Sequence, residues 1–195
     1  MADHARIDEA IAMLEVASIA MGLYLCDVLV KQAPVRLLNA EAVSPGKFLI
    51  LFAGDVASVE ESYRVGLEHA GCEVLEGFFL PHLHREILPG LAGHVRSDVI
   101  DAVGLYELQT VSSGIVAADA ALKQSDVHLV SFRMARGIGG KSYFVLTGSH
   151  ADVLFALEVA DRHAIEAGTK VRGFVIPNPH EEFLPVILGI QDGLL

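Results

Sequence analysis

The sequence predicts an α/β protein of the mixed α+β kind, built as two tandem domains that each run β-α-β-β-α-β-α. Three observations lead there. The chain is written twice; the apolar spacing switches between strand and helix periods at matching places in the two copies; and 195 residues at 52% hydrophobic and 20% charged hold enough apolar material for packed cores. That length allows one large domain or two of roughly 100 residues each.

The duplication shows in three blocks. Residues 14–38 lie over 106–130 at a separation of 92, placing Glu15 on Glu107, Gly22 on Gly114, Asp27 on Asp119 and Lys31 on Lys123. Residues 46–59 lie over 140–153 at 94, so the second copy has gained two residues just before. Residues 80–89 lie over 176–185 at 96, aligning Pro81 with Pro177, His84 with His180 and Pro89 with Pro185. The blocks keep one order, and the spacing drifts only where loops fall. The domains are expected at 10–92 and 101–190.

Each copy offers an independent reading of the same elements. "AMLEVA" and "AVGLYEL" alternate as strands. From Ser18 to Ala33 and from Thr110 to Gln124, small and apolar residues recur at helical spacing, and each segment ends in a lysine followed by Pro or Ser-Asp. "VRLLNAEAV" and "VHLVSFRMA" are rich in β-branched and alternating residues, as are "KFLILFAG" and "KSYFVLTG", so these are strands. Residues 55–71 and 149–168 are amphipathic helices closing on glycine. A short strand ending in Leu-Pro or Ile-Pro and a short terminal helix complete each copy.

Composition excludes several classes. A formal charge of −11, with 14 scattered Lys and Arg, argues against a nucleic-acid partner, since a polyanion calls for basic clusters. The uncharged runs, such as "VASIAMGLYLC", fall well short of the roughly 20 residues of a membrane-spanning helix, so no membrane partner is expected. The acidic "MADHARIDEA" start does not read as a secretion signal. Two cysteines, Cys26 and Cys72, form no disulfide framework and read as free thiols in a reducing cytosol.

The stretch "ARGIGGKS" at 135–142 comes near to a phosphate-binding loop. Gly140, Lys141 and Ser142 fit that pattern, but Ala135 stands where its first glycine belongs. A phosphate loop also joins a strand to a helix N-terminus. Here the following residues read as a strand, and the first copy has Pro45, without a backbone donor, in the matching loop. The glycines serve a tight strand–strand connection.

The blocks "LYELQTVSSGIVAADAALKQSDVHLV", "GIGGKSYFVLTG" and "IPNPHEEFLP" resemble the shell-protein domain of bacterial microcompartments. Two such domains in one chain resemble its tandem-domain, trimer-forming class, over nearly all of residues 10–188. The resemblance implies two ferredoxin-like domains in unpermuted order. It also implies a homotrimer shaped as a flat pseudohexameric disc, tiling with other shell proteins around encapsulated enzymes in the bacterial cytoplasm. By position it implies an axial pore lined by Val43, Ser44, Pro45 and Gly46, with Lys47 closing that loop. The second copy would add Arg136, Gly137, Ile138, Gly139 and Gly140, closed by Lys141. Lys31 and Lys123 would lie at the tile edge.

Within that class the chain resembles the propanediol-utilisation trimers, whose first loop reads Cys-Pro-Gly-Lys and holds a [4Fe–4S] cluster. This chain has Ser44 in the cysteine's place. Iron–sulfur clusters are held by thiolates, so no cofactor is expected and the pore would be ringed by hydroxyls, suited to a polar metabolite.

Other chemistry-bearing residues have plainer readings. His82, His84 and Glu86 crowd into "PHLHRE", but the second copy keeps only His180, so no metal site is expected. His69 and His163 sit on amphipathic helices and read as solvated. Glu15 and Glu107 recur through duplication, with no third group to complete an acid–base site. Lys31 and Lys123 also suit the helix dipole at a C-terminal turn. A structural tile without catalysis is the expectation; the alternative is an enzyme or a small-ligand or nucleotide binder on a duplicated α/β scaffold.

Overall fold

The structure is a computed structural model that describes residues 9–93, 101–135, 137–169 and 171–188. The chain divides between Leu83 and His84 into two compact units.

The first unit contains β1 (Ala10–Val16), α1 (Ile19–Gln32), β2 (Arg36–Val43), β3 (Lys47–Gly54), α2 (Val56–Ala70) and β4 (Val74–Pro81). Its antiparallel sheet has the order β2-β3-β1-β4. The second unit contains α3 (Ile87–Leu91), β5 (Ala102–Leu108), α4 (Val111–Gln124), β6 (Val127–Met134), β7 (Ser142–Gly148), α5 (His150–Glu166), β8 (Val171–Ile176) and α6 (Leu184–Leu188). Its sheet repeats the order as β6-β7-β5-β8. This is the mixed α/β fold read from the sequence. The additions are two 3-10 turns, Gly71–Glu73 and Glu181–Phe183, too short to show a period.

Local chemistry explains why the copies fold alike. Ser18, Asp55, Thr110 and Ser149 each cap a helix, their side-chain oxygens accepting from the N–H of Met21, Ser58, Ser113 and Asp152 at 3.0–3.2 Å. The strand pairing carries the same irregularity twice, a register shift between Leu37 and Asn39 in β2 and between Leu129 and Ser131 in β6. His82 and Asn178, matched by the repeat, both take a positive φ, 53° and 49°.

One face of each sheet packs against its helices. In the first unit Leu14, Leu25, Leu29, Phe48, Ile50 and Phe52 form that core. In the second, Tyr106 and Phe132 flank Phe144 at ring-centroid distances of 5.3 and 6.0 Å. The Tyr106 hydroxyl donates to Asp161 on α5. On the other face, Val103, Val130 and Val145 pack with Ile187 of α6, whose carbonyl accepts from Ser131 Oγ at 3.1 Å.

The segment His84–Leu91 is the tail of the first copy by repeat, yet it packs inside the second unit. It lies along the β6 edge, with Gly90 against Leu129 so closely that a Cβ there would stand 2.3 Å from Leu129 Cδ2.

Candidate functional site

The repeat brings three kinds of feature to equivalent places in the two units: the glycine loops, the helix-end lysines and the tails.

Both loops are strand–strand connections. Residues 44–46 join β2 to β3, with Gly46 at φ 97° and its N–H donating to Val43 O at 2.9 Å. The Ser44–Pro45 peptide is cis. In the second unit the Ala135 N–H donates to Lys141 O at 2.8 Å, closing a hairpin whose Gly137, Gly139 and Gly140 all have positive φ. Ile138 is half-buried within that loop, whereas Arg136 lies outside the described residues. Because β7 follows directly, the loop joins strand to strand and does not lead into a helix N-terminus as a phosphate cradle does.

The carboxylates that recur through the repeat find their use at the roots of these loops. Lys47 Nζ lies 2.6 Å from Glu15 Oε1, and Lys141 Nζ lies 3.0 Å from Glu107 Oε1. Each pair ties the first residue after a loop to the central strand beside it. The environments differ: the Glu15 side chain is 5% exposed and that of Glu107 44%. The repeat aligns all four residues, but spacing alone pairs neither carboxylate with a lysine. The lysine's place directly after each glycine loop was the available signal.

The helix-end lysines behave in parallel. Lys31 lies 2.5 Å from Asp27 and Lys123 lies 2.6 Å from Asp119, one helical turn away in each case. Here too burial differs, with the Asp27 side chain 57% exposed and that of Asp119 4%. The tail explains the difference, since Asp119 Oδ1 also accepts the His84 N–H at 2.7 Å.

The tails form a compact hook. The Glu86 N–H points to His84 Nδ1 at 3.4 Å, and the Glu182 N–H points to His180 Nδ1 at 3.2 Å. The first hook is docked: Glu86 Oε1 lies 2.9 Å from His128 Nδ1, and Glu86 Oε2 accepts the Leu129 N–H at 2.8 Å. Burial pushes the Glu86 carboxyl up, but the bonds from His128 and Leu129 and the nearby imidazole charge outweigh it, holding it below the usual carboxylate range. Desolvation dominates at His84 and lowers its pKa, despite the carboxylates beside it. Docking thus accounts for His84 and Glu86 of "PHLHRE". Among the described residues no group of three or more His, Cys, Asp or Glu could hold a metal ion.

The residues at the first loop do not fit a thiolate-held cluster. Ser44 offers a hydroxyl, while Cys26 lies half-buried on α1 and Cys72 lies exposed just after α2. Burial raises the Cys26 thiol, which keeps it protonated and unreactive. Of the helix histidines, His69 is held by the Tyr24 hydroxyl at 3.0 Å, a contact the sequence did not show; His163 lies 3.7 Å from Glu166. No helix among the described residues is long and apolar enough to cross a membrane.

Known proteins share this arrangement. The family described as the BMC domain matches twice, at residues 10–83 and 102–179. The chain is 42% identical over 175 residues to the bacterial microcompartment shell protein PduT of Citrobacter freundii, covering 90% of this chain and 95% of that one. It is 40% identical to a microcompartment protein of Desulfitobacterium hafniense DCB, superposing with a TM-score of 0.84 over 91% of this chain and 98% of the other. A fused permuted hexameric shell protein of the RMM microcompartment, at 23% identity, shares the fold with a TM-score of 0.61 over 82% and 85% of the two chains. Two sheets of one strand order, two capped helix pairs and two matches in tandem lead to one conclusion: this chain belongs to the BMC-domain family and carries the domain twice.

Proposed function

We propose that the chain is a structural shell tile of a bacterial microcompartment, acting as a pseudohexameric homotrimer with an axial pore for metabolite passage. The observation that carries the reading is the doubled domain itself, with one glycine loop, one helix-end lysine and one tail in equivalent positions of each copy. Three such chains supply six near-equivalent domains, here taken as 10–92 and 101–190. The shell role printed for the PduT relative, which this chain matches over 90% of its length, supports the same reading.

In this reading Val43, Ser44, Pro45 and Gly46 of each chain meet their symmetry mates at the axis, alternating with Arg136, Gly137, Ile138, Gly139 and Gly140. The pore then has threefold rather than sixfold symmetry, one set of loops stiffened by proline and the other rich in glycine. Lys31 and Lys123 lie at the rim, where other shell proteins adjoin, and the tile carries out no chemistry of its own. The hairpin geometry of residues 135–141 removes the support for the nucleotide-binding alternative.

Negative-stain electron microscopy of the purified protein, averaged without imposed symmetry, tests this directly. Flat discs with threefold, nearly sixfold outlines are expected, alone or in sheets. Compact monomers or twofold dimers would overturn the reading.

A further inference from the structure

The first hook is held by a few polar bonds, and one of them depends on a protonation state. The backbone just before it is pinned, the Leu83 N–H donating to Glu9 O at 3.0 Å. From His84 onward the segment lies against α4 and β6. Asp119 accepts the His84 N–H, and the Glu86 carboxylate meets the His128 imidazole and the Leu129 N–H. Ile87, fully buried, and Gly90, against Leu129, supply the apolar contact. Glu86 reaches β6 from a backbone turned back toward His84, its N–H pointing to His84 Nδ1 at 3.4 Å. A ring nitrogen that accepts a hydrogen bond carries no proton, so the neutral His84 ring holds its proton on Nε2.

We propose that residues 84–91 form an acid-released latch. A proton taken from water onto His84 Nδ1 removes the acceptor that shapes the hook, and the hook then lets go of the β6 edge. This inference needs neither the trimer nor the pore.

The charges around the ring set the direction. On its own segment Arg85 and Glu86 face His84, and from α4 Asp119 and Lys123 face it. From β6, His128 acts on it through Glu86. The two carboxylates favour an imidazolium and the two cations oppose it, so burial decides, and burial favours the neutral ring. The closed latch is therefore fully favoured above about 6.5, the ordinary imidazole value, and loses ground as pH falls below it. Glu86, held below the usual carboxylate range, completes the opening in stronger acid. His128 acts the other way, since its charged form holds the Glu86 carboxylate. Its side chain is 36% exposed, so water screens that gain.

Opening has two consequences within the second unit. The Leu129 N–H loses its acceptor and meets solvent. Asp119 gives Oδ1 to the hook and Oδ2 to Lys123, so the carboxylate that places the helix-end lysine is uncovered in the same step.

The test is hydrogen–deuterium exchange of the full chain at single-amide resolution, at pH 7.5 and pH 5.5, with rates corrected for the intrinsic effect of pH. In the wild type the Leu129 amide should exchange about tenfold faster at the lower pH, while amides of β5, inside the same sheet, keep their protection. In His84→Asn the side-chain oxygen still accepts from the N–H two residues on and does not titrate in this range. Its Leu129 amide should therefore stay equally protected at both pH values. His128→Gln should leave the wild-type rise in place. A Leu129 rate that does not change in the wild type overturns the latch. So does a rise of the same size in His84→Asn, or a rise shared with β5, which would mean loosening of the whole unit. Should His84→Asn fail to fold, the comparison of Leu129 with β5 in the wild type decides alone.

Discussion

At the scale of single residues, duplication has produced pairs that are alike in sequence and unlike in energy. Lys47 and Lys141 each pair with a carboxylate on the adjacent strand, but Glu15 is almost wholly buried and Glu107 is not. Removing one partner of a buried pair leaves an uncompensated charge, whereas an exposed pair contributes little. Lys47→Met is therefore expected to cost roughly 3 kcal/mol of stability, and Lys141→Met less than about 1 kcal/mol, as urea unfolding of the two variants would measure. The docked hook adds a pH dependence. Glu86 is depressed in the folded chain, so its stabilisation is full above its unfolded pKa and is lost as pH falls through the folded one. His84 is depressed by desolvation; below about 6.5 the unfolded chain takes up that proton first and folding weakens. Both groups act in the same direction. The thermal midpoint should fall on acidification from pH 7 to pH 5, and His84→Gln should flatten the part of that fall nearest neutrality.

At the scale of elements, the repeat made the fold legible because every reading could be checked against its twin. The caps Ser18 and Thr110, the glycines ending the long helices and the alternation in β3 and β7 are local signals, and each element formed where its signal stood. Less legible were the distances at which elements cross. Gly22 and Gly114 were visible as an aligned pair, but only the structure shows why they are small. A Cβ on Gly22 would stand 2.3 Å from the Phe48 ring, and one on Gly114 would stand 2.0 Å from Ser142 Oγ. Gly22→Ala forces the helix off its strand and should destabilise the chain by about 1–3 kcal/mol, although alanine is the better helix former. A stability gain in thermal melts would show that α1 has slack over β3. In the sequence Tyr106 shows only as part of a strand. Its hydroxyl, bonded to Asp161 fifty-five positions away, has no signature in local spacing.

At the scale of the whole molecule, sequence and packing divide the chain differently. The repeat assigns residues 84–91 to the first copy, while the fold seats them in the second unit. No periodicity reports this, because a tail of five helical residues has too little pattern to show which sheet it will join. The loops were legible as turns from glycine and proline alone, whereas the partners of Glu86 depended on tertiary structure. The helix-end lysines, proposed above for the tile edge, belong to this scale too. Lys123 closes its helix beside Asp119 with more than a third of its side chain exposed. On the tile reading, Lys123→Ala should weaken sheet formation seen by electron microscopy and leave the solution mass at three chains; loss of the trimer itself would contradict a tile-edge role.

The open edge of β2 has a consequence for how such a chain must be made. Its counterpart in the second copy, β6, has its Leu129 N–H capped by Glu86, whereas β2 stands at the border of its sheet with Ala40 exposed, beside a helix face that shows Leu23 and Tyr24 to water. A border strand next to exposed apolar surface is a template for mispairing with any other extended chain. Newly made protomers therefore run a race between correct capture and aggregation. Expressed in bacteria at rising levels without other shell proteins, the protein should pass from the clear lysate into inclusion bodies.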